Sequence, residues 1–182
     1  MLDLGVAGAV QASKSMVTIA PGYVMRNETR RYLHYRRAGT RERFPLVPGA
    51  EGAVHRYDGR LPPLFLFRLR QFGASWSGSI ALDQVGTVAL RLLNRYSPDL
   101  SSIIRIDCSL QDATFEVHVF EDAAGVQAPY RLENFTFLTL MFAQDGAGAR
   151  SERVLPYHST EFAWDEPMKS RKVVVHAVAD GG

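Results

Sequence analysis

The sequence holds a single cysteine, Cys108, in 182 residues, so no internal disulfide can staple it. A lone thiol fits a reducing compartment, and a cytoplasmic setting is the expectation that follows. Excess charge is also missing: 21 Lys+Arg stand against 19 Asp+Glu for a net of +2, too little to draw the chain onto DNA or RNA. The first ten residues lack the basic start and sustained apolar core of a secretory leader, and no apolar run approaches the roughly 20 residues that cross a bilayer. Any membrane association is expected to be peripheral. Chemistry-bearing patterns are equally scarce. His34, His55, His118, His158 and His176 show neither H-E-x-x-H nor paired Cys/His spacing, so no metal site is expected. No glycine loop is built to cradle phosphate, and no cofactor is expected. The stretch Gly73-Ala-Ser75-Trp-Ser-Gly78 misses the G-x-S-x-G spacing of a nucleophile elbow by one residue and lacks its strand-to-helix setting. The chain is not expected to be an enzyme.

What the sequence does contain is strand periodicity. With 46% hydrophobic residues it can build a packed core. Ile104, Ile106, Cys108 and Leu110 alternate with Arg105, Asp107 and Ser109, which assigns Cys108 to the buried face of a strand. Phe115, Val117 and Val119 alternate with Glu116 and His118, and Phe65, Phe67 and Leu69 share one side of another strand. Residues 85–92 fit a strand or a short helix, with Gly86 and the β-branched residues favouring strand. Antiparallel β-sandwich units are the natural reading, in an all-β chain.

The sequence also repeats itself. Tyr23-Val-Met-Arg-Asn27-Glu-Thr29 aligns without a gap on Tyr130-Arg-Leu-Glu-Asn134-Phe-Thr136, an offset of 107 positions. At nearly the same offset Leu33 meets Leu140, Tyr35 meets Phe142, Pro48 meets Pro156, and Tyr57-Asp58 meets Trp164-Asp165. Pro21 and Pro129 precede the two copies, and Leu64–Leu69 falls opposite Lys172–Ala177. About one and a half copies of a tandem β-sandwich-like repeat are therefore expected: residues 15–120 as a first unit, 121–182 as a second and truncated one, and 1–14 as the tail of a preceding unit. Such arrays bury their faces against neighbouring repeats.

Tyr130-Arg-Leu-Glu-Asn134-Phe-Thr136, then Val154-Leu-Pro156, and above all Phe162-Ala-Trp164-Asp165-Glu-Pro167 resemble the repeated module of the adaptor-binding region of the vacuolar protein sorting-associated protein 13 family. Trp76-Ser-Gly78-Ser-Ile80, with Leu82-Asp83 and Gly86 after it, is similar to the second half of that module. The first copy departs from the pattern with Tyr57-Asp58-Gly59 in place of Trp164-Asp165-Glu166. The resemblance implies part of a large bridge-like lipid-transfer protein, in which this region docks on membrane adaptors displaying Pro-x-Pro motifs at organelle contact sites. Neighbouring repeats of the same chain are the other implied partners. The alternative is a structural or lipid-surface repeat whose peptide site lies on other units.

Four groups of residues stand out. Asn27 and Asn134 match the module's asparagine, and an amide can satisfy several backbone groups where a strand leaves its ladder. Trp164, Asp165 and Pro167 read as a strand end and turn: Trp164 plugs the core, Asp165 accepts backbone N–H groups and Pro167 fixes φ. Trp164 or Tyr157 at the edge of a peptide groove is the other reading. Phe135, Phe137 and Met141 share parity where the first copy has Glu28, Arg30 and His34, so this face either packs on a neighbouring unit or lines an adaptor groove. Finally, seven arginines against two glutamates between Arg26 and Arg43 imply a basic hairpin. Its Arg30, Arg31, Arg36, Arg37, Arg41 and Arg43 form either a solvated face or a patch for anionic lipid headgroups.

Overall fold

A computed structural model of the chain describes residues 22–54, 61–97, 100–121, 128–148 and 151–178. The expectations for residues 1–14, Pro21 and Tyr57-Asp58 lie outside them. The described chain is built from strands: β1 Tyr23–Asn27, β2 Leu33–Arg37, β3 Phe44–Leu46, β4 Glu51–Val54, β5 Leu64–Leu69, β6 Ile80–Ala81, β7 Gly86–Leu92, β8 Ser102–Gln111 and β9 Thr114–Phe120 come first. β10 Tyr130–Glu133, β11 Thr139–Gln144, β12 Glu152–Val154, β13 Ser159–Phe162 and β14 Val173–Val178 follow. The chain is all-β, and residues 86–92, ambiguous by pattern, form a strand.

β1 to β9 make two sheets around one core. One has the order β4-β1-β9-β8-β7 and the other β3-β2-β5-β6. Strand parity dictates the packing: Ile104, Ile106 and Cys108 of β8, Val117 and Val119 of β9, and Phe65, Phe67 and Leu69 of β5 are all buried between them. Each such side chain contributes about 1.5–3 kcal/mol when fully removed from water. Leu110, at the end of β8, is the exception and stays half exposed. β8 and β9 are joined by a two-residue turn in which Asp112 takes φ 53°, a conformation that Asp tolerates better than most residues.

β10 to β14 pair in the same arrangement as the first five strands, around a smaller core of Phe142, Val154 and Phe162, against which Leu132, Trp164 and Val173 pack. β11 sits between β12 and β14 as β2 sits between β3 and β5. β10 pairs with β13 as β1 pairs with β4.

One expectation is corrected. The stretch from Arg26 to Arg43 is not one hairpin: Arg26 lies on β1 of one sheet, whereas β2 and β3, which pair antiparallel in the other sheet, hold or connect Arg36, Arg37, Arg41 and Arg43. Asn27 turns the chain out of one sheet and into the other, so Arg26 stands apart from Arg36 and Arg37 of β2.

Candidate functional site

Both copies turn on an asparagine. Asn134 ends β10 fully inside the protein, its amide nitrogen donating to the carbonyls of Leu138 (2.7 Å), Val154 (3.2 Å) and Leu155 (3.0 Å). Its Oδ1 accepts from the backbone N–H and the hydroxyl of Thr136, at 3.0 and 2.8 Å. Asn27 does the same in the first copy, donating to Arg31 O and Leu46 O at 2.9 Å and accepting from Thr29 N–H and Oγ1 at 3.0 and 2.7 Å. Buried backbone groups must find partners, and here one side chain serves them where the strand ladder stops.

Beside Asn134 lies a pocket of about 130 Å³ lined by Arg131, Glu133, Asn134, Phe135, Tyr157, His158 and Ser159. Its floor is held by Asn134 N–H donating to His158 O at 2.9 Å. Leu155–His158 closes a β-turn through His158 N–H to Leu155 O at 3.1 Å, with Pro156 at its second position and Tyr157 at its third. Tyr157 has φ 56° and an exposed ring. The matching turn of the first copy, Val47–Ala50, has Pro48 followed by Gly49 at φ 72°. Glycine takes that conformation freely, whereas a tyrosine there costs roughly 1–2 kcal/mol.

The three apolar residues of the expected groove are not brought together by strand parity. Residues 134–138 form a loop around Asn134, so the alternation of β10 does not continue through Phe135 and Phe137 into β11. Phe135, 79% exposed, lines the pocket; Phe137, 75% exposed, stands on the same loop outside the pocket lining. Met141 is half-buried in β11, on the face opposite Phe142 and across from His176 of β14.

The edge of β10 adjoins the pocket. Among the described residues β10 pairs with β13 alone, whereas its counterpart β1 holds β4 on one side and β9, in parallel, on the other. Tyr130, Arg131 and Glu133 on this strand are exposed, and Arg131 Nε lies 3.0 Å from Glu133 Oε1.

The segment after β13 has a different task. Trp164 is half-buried against Phe162 and Tyr130, with ring centroids 5.0 and 5.5 Å away. Pro167 occupies the second position of the turn closed by Lys169 N–H to Glu166 O at 3.0 Å. The carboxylate of Asp165 does not take up the expected role of backbone acceptor: its Oδ1 is buried without a hydrogen bond, 3.8 Å from Arg91 Nη1 of β7. Burial, reinforced by Glu152 and Glu166 and opposed by Arg91, pushes the Asp165 carboxyl up to about 6. Arg91 itself forms a two-pronged pair with Glu152, whose second bond is 2.6 Å. The main-chain oxygen of Asp165 accepts from Gly78 N–H at 3.1 Å, and a Cβ at Gly78 would come within 2.3 Å of that oxygen. The first and second copies therefore meet at Gly78, Arg91, Glu152 and Asp165.

The expected lipid patch is divided. Arg31 pairs with Glu121 at 2.8 Å, and Arg37 donates to the carbonyls of Leu61 and Pro62. Arg36 stacks on Trp76 at 4.5 Å, and Arg30, Arg41 and Arg43 are exposed.

Two structural residues escaped the sequence reading. Asn94 is buried and its Oδ1 caps Tyr96 N–H and Ser97 N–H. Gln144 bonds Glu166 N–H, Glu166 O and Ser170 O at 2.9, 2.9 and 3.1 Å. A polar residue at the buried parity of β11, after Leu140 and Phe142, was the available signal for Gln144.

Comparison with known proteins agrees with this construction. The sequence matches the family described as vacuolar-sorting associated protein 13, adaptor binding domain, over residues 9–171. It is 29% identical over 154 residues to the intermembrane lipid transfer protein vps13D of Dictyostelium discoideum, covering 83% of this chain and 3% of that protein. With the human intermembrane lipid transfer protein VPS13D the identity is 26% over 164 residues, covering 84% of this chain and 4% of the relative. The chain thus spans a few hundredths of the length of the relatives it matches.

Proposed function

The chain belongs to the vacuolar-sorting associated protein 13 adaptor binding domain family, and from that membership we propose that it is a non-catalytic module taking an extended adaptor segment at the pocket beside Asn134. The observation that carries the reading is the pocket beside Asn134, which Phe135 and Tyr157 line with exposed rings. Grooves lined by aromatic rings receive Pro-rich extended peptides through the faces of those rings.

A Pro-x-Pro motif suits this pocket physically. In an extended segment, residues two apart point their N–H groups the same way. Both prolines then present their rings on the same face, and neither has an N–H to leave unpaired. The pocket at Asn134, with the exposed rings of Phe135 and Tyr157, supplies apolar contact for a proline ring or its neighbour. The positive φ of Tyr157 supports the same reading, since strain held at an exposed aromatic is often kept for binding. Phe137 extends the apolar surface beyond the pocket, while Met141 contributes through β11.

The relatives are named intermembrane lipid transfer proteins. The module's task is then to hold such a protein, through an adaptor, peripherally on the cytoplasmic side of an organelle membrane at a contact site. Titration with a Pro-x-Pro peptide tests this, using the native peptide and one with both prolines replaced by alanine. Saturable binding is expected, weakened roughly tenfold or more by the alanines and by Phe135→Ser, the scale of a lost hot spot. Equal binding of the two peptides would refute the motif, and unchanged affinity in Phe135→Ser would refute the site.

A further inference from the structure

We propose that the loop end of the first copy, where Phe72 and Tyr96 project, docks directly on an anionic membrane surface. The two rings are 85% and 72% exposed and stacked on one another, 5.1 Å apart and within 8° of parallel. Water would ordinarily leave such rings loose, yet these are fixed from below. Phe72 O accepts from the Asn94 amide at 2.8 Å, and Gly73 O accepts from Arg95 N–H at 2.9 Å. Asn94 Oδ1 holds Tyr96 N–H at 3.0 Å, and Gln71 Nε2 reaches Leu100 O at 2.8 Å. Gly73 has φ +76° and so little room that a Cβ would lie 2.5 Å from the Tyr96 ring. The loop after β5 and the loop after β7 are therefore clipped together, with two aromatic rings and the half-exposed Leu100 on the outside. A rigid, exposed aromatic pair loses little conformational freedom when it is covered.

Cations adjoin the tip. A cleft of about 450 Å³ runs from Arg68 and Arg70 to Phe72. Arg68 and Arg36 lie on the Trp76 ring at 4.8 and 4.5 Å, and Arg70 lies on Tyr32 at 4.5 Å. Among the described residues, none of Arg36, Arg43, Arg68 and Arg70 forms an ion pair with a carboxylate. The cluster opposes its own charge: burial together with Arg43 and Arg36 lowers the Arg68 pKa, and burial with Arg68, Arg43 and Arg70 lowers that of His34. An array of stacked guanidiniums without counter-ions is complementary to phosphate groups.

Cations alone would serve an acidic peptide equally well. The aromatic pair decides for the membrane, because aromatic rings settle at the headgroup level of a bilayer while arginines beside them meet anionic lipid. The pocket at Asn134 is lined by other residues, so this contact does not depend on adaptor binding.

Vesicle flotation tests the proposal, using the full chain with phosphatidylcholine vesicles and with vesicles that also contain phosphatidylserine. The chain should float with the anionic vesicles and remain behind with the neutral ones. Arg43→Glu with Arg70→Glu, both at exposed positions, should reduce flotation roughly tenfold or more. Phe72→Ser with Tyr96→Ser should reduce it to a similar degree without any change in charge, while the thermal unfolding midpoint stays within a degree or two of wild type. No flotation of the wild type, or equal flotation with neutral vesicles, overturns the proposal. So does flotation that depends on Arg43 and Arg70 but not on Phe72 and Tyr96, which would reassign the cations to a soluble acidic partner.

Discussion

Tyr157 occupies in the second copy the turn position that Gly49 holds in the first, with φ 56° against 72°. The same backbone is thus made cheaply once and at a cost once, and the costly version faces the pocket beside Asn134. Tyr157→Gly should raise stability by about 1 kcal/mol through relief of that strain, read as a higher denaturation midpoint. Affinity for the Pro-x-Pro peptide should fall at the same time. A variant less stable than wild type would show that the ring is a packing element rather than a strained binding residue.

Asn134→Ala strips partners from three carbonyls and from Thr136, and should destabilise the chain by about 1–3 kcal/mol. Asn27→Ala should cost a similar amount, since its bonds are nearly the same. The two should part company in binding: only Asn134→Ala is expected to weaken the peptide at temperatures where both variants are folded. Equal losses from the two substitutions would detach the site from the second copy.

The two matching asparagine turns were legible because Asn27 and Asn134 each carry a Thr two residues on, and a motif that satisfies buried backbone groups tolerates little change. Strand parity was legible for Ile104, Ile106 and Cys108, since a face buried between two sheets must be apolar at every second residue. Parity failed at Phe135 and Phe137, because Asn134 ends the strand and a loop has no period of two. The separation of Arg26 from the other arginines was hidden as well: nothing local shows that β1 and β2 part into different sheets, since that is fixed by the distant parallel pairing of Tyr23 with Phe115. The partner of Asp165 was hidden for the same reason, as Arg91 comes from another copy.

Asp165 makes the contact between the copies sensitive to pH. Its carboxyl titrates at about 6 in the folded chain against 3.8 ordinarily, so the folded state keeps its proton to higher pH than the unfolded state. Stability should therefore fall as pH rises from about 4 to about 6 and level off above that. Asp165→Asn should abolish this part of the pH dependence and leave the chain about 1–3 kcal/mol more stable than wild type at neutral pH. Unfolding curves across that range decide it, and a wild type that gains stability between pH 4 and 6 through this residue would show that Arg91 outweighs burial.

Cys108 is 4% exposed, and burial, with Asp107 and Asp83 nearby, pushes its thiol up to about 11. Thiolate is the reactive form. Labelling by a disulfide reagent at neutral pH should therefore be slow in native protein and fast after denaturation. Prompt labelling of the folded chain would mean that β8 opens readily or sits in another register.

Hydrogen exchange with and without the Pro-x-Pro peptide tests the central claim most directly, because it reads the backbone around the pocket beside Asn134. Peptide addition should slow exchange within Tyr130–Glu133 and at the Leu155–His158 turn, and leave the outer strands β4 and β7 of the first copy unchanged. Saturating peptide that leaves Tyr130–Glu133 unprotected, or that protects β4 or β7 instead, would contradict it.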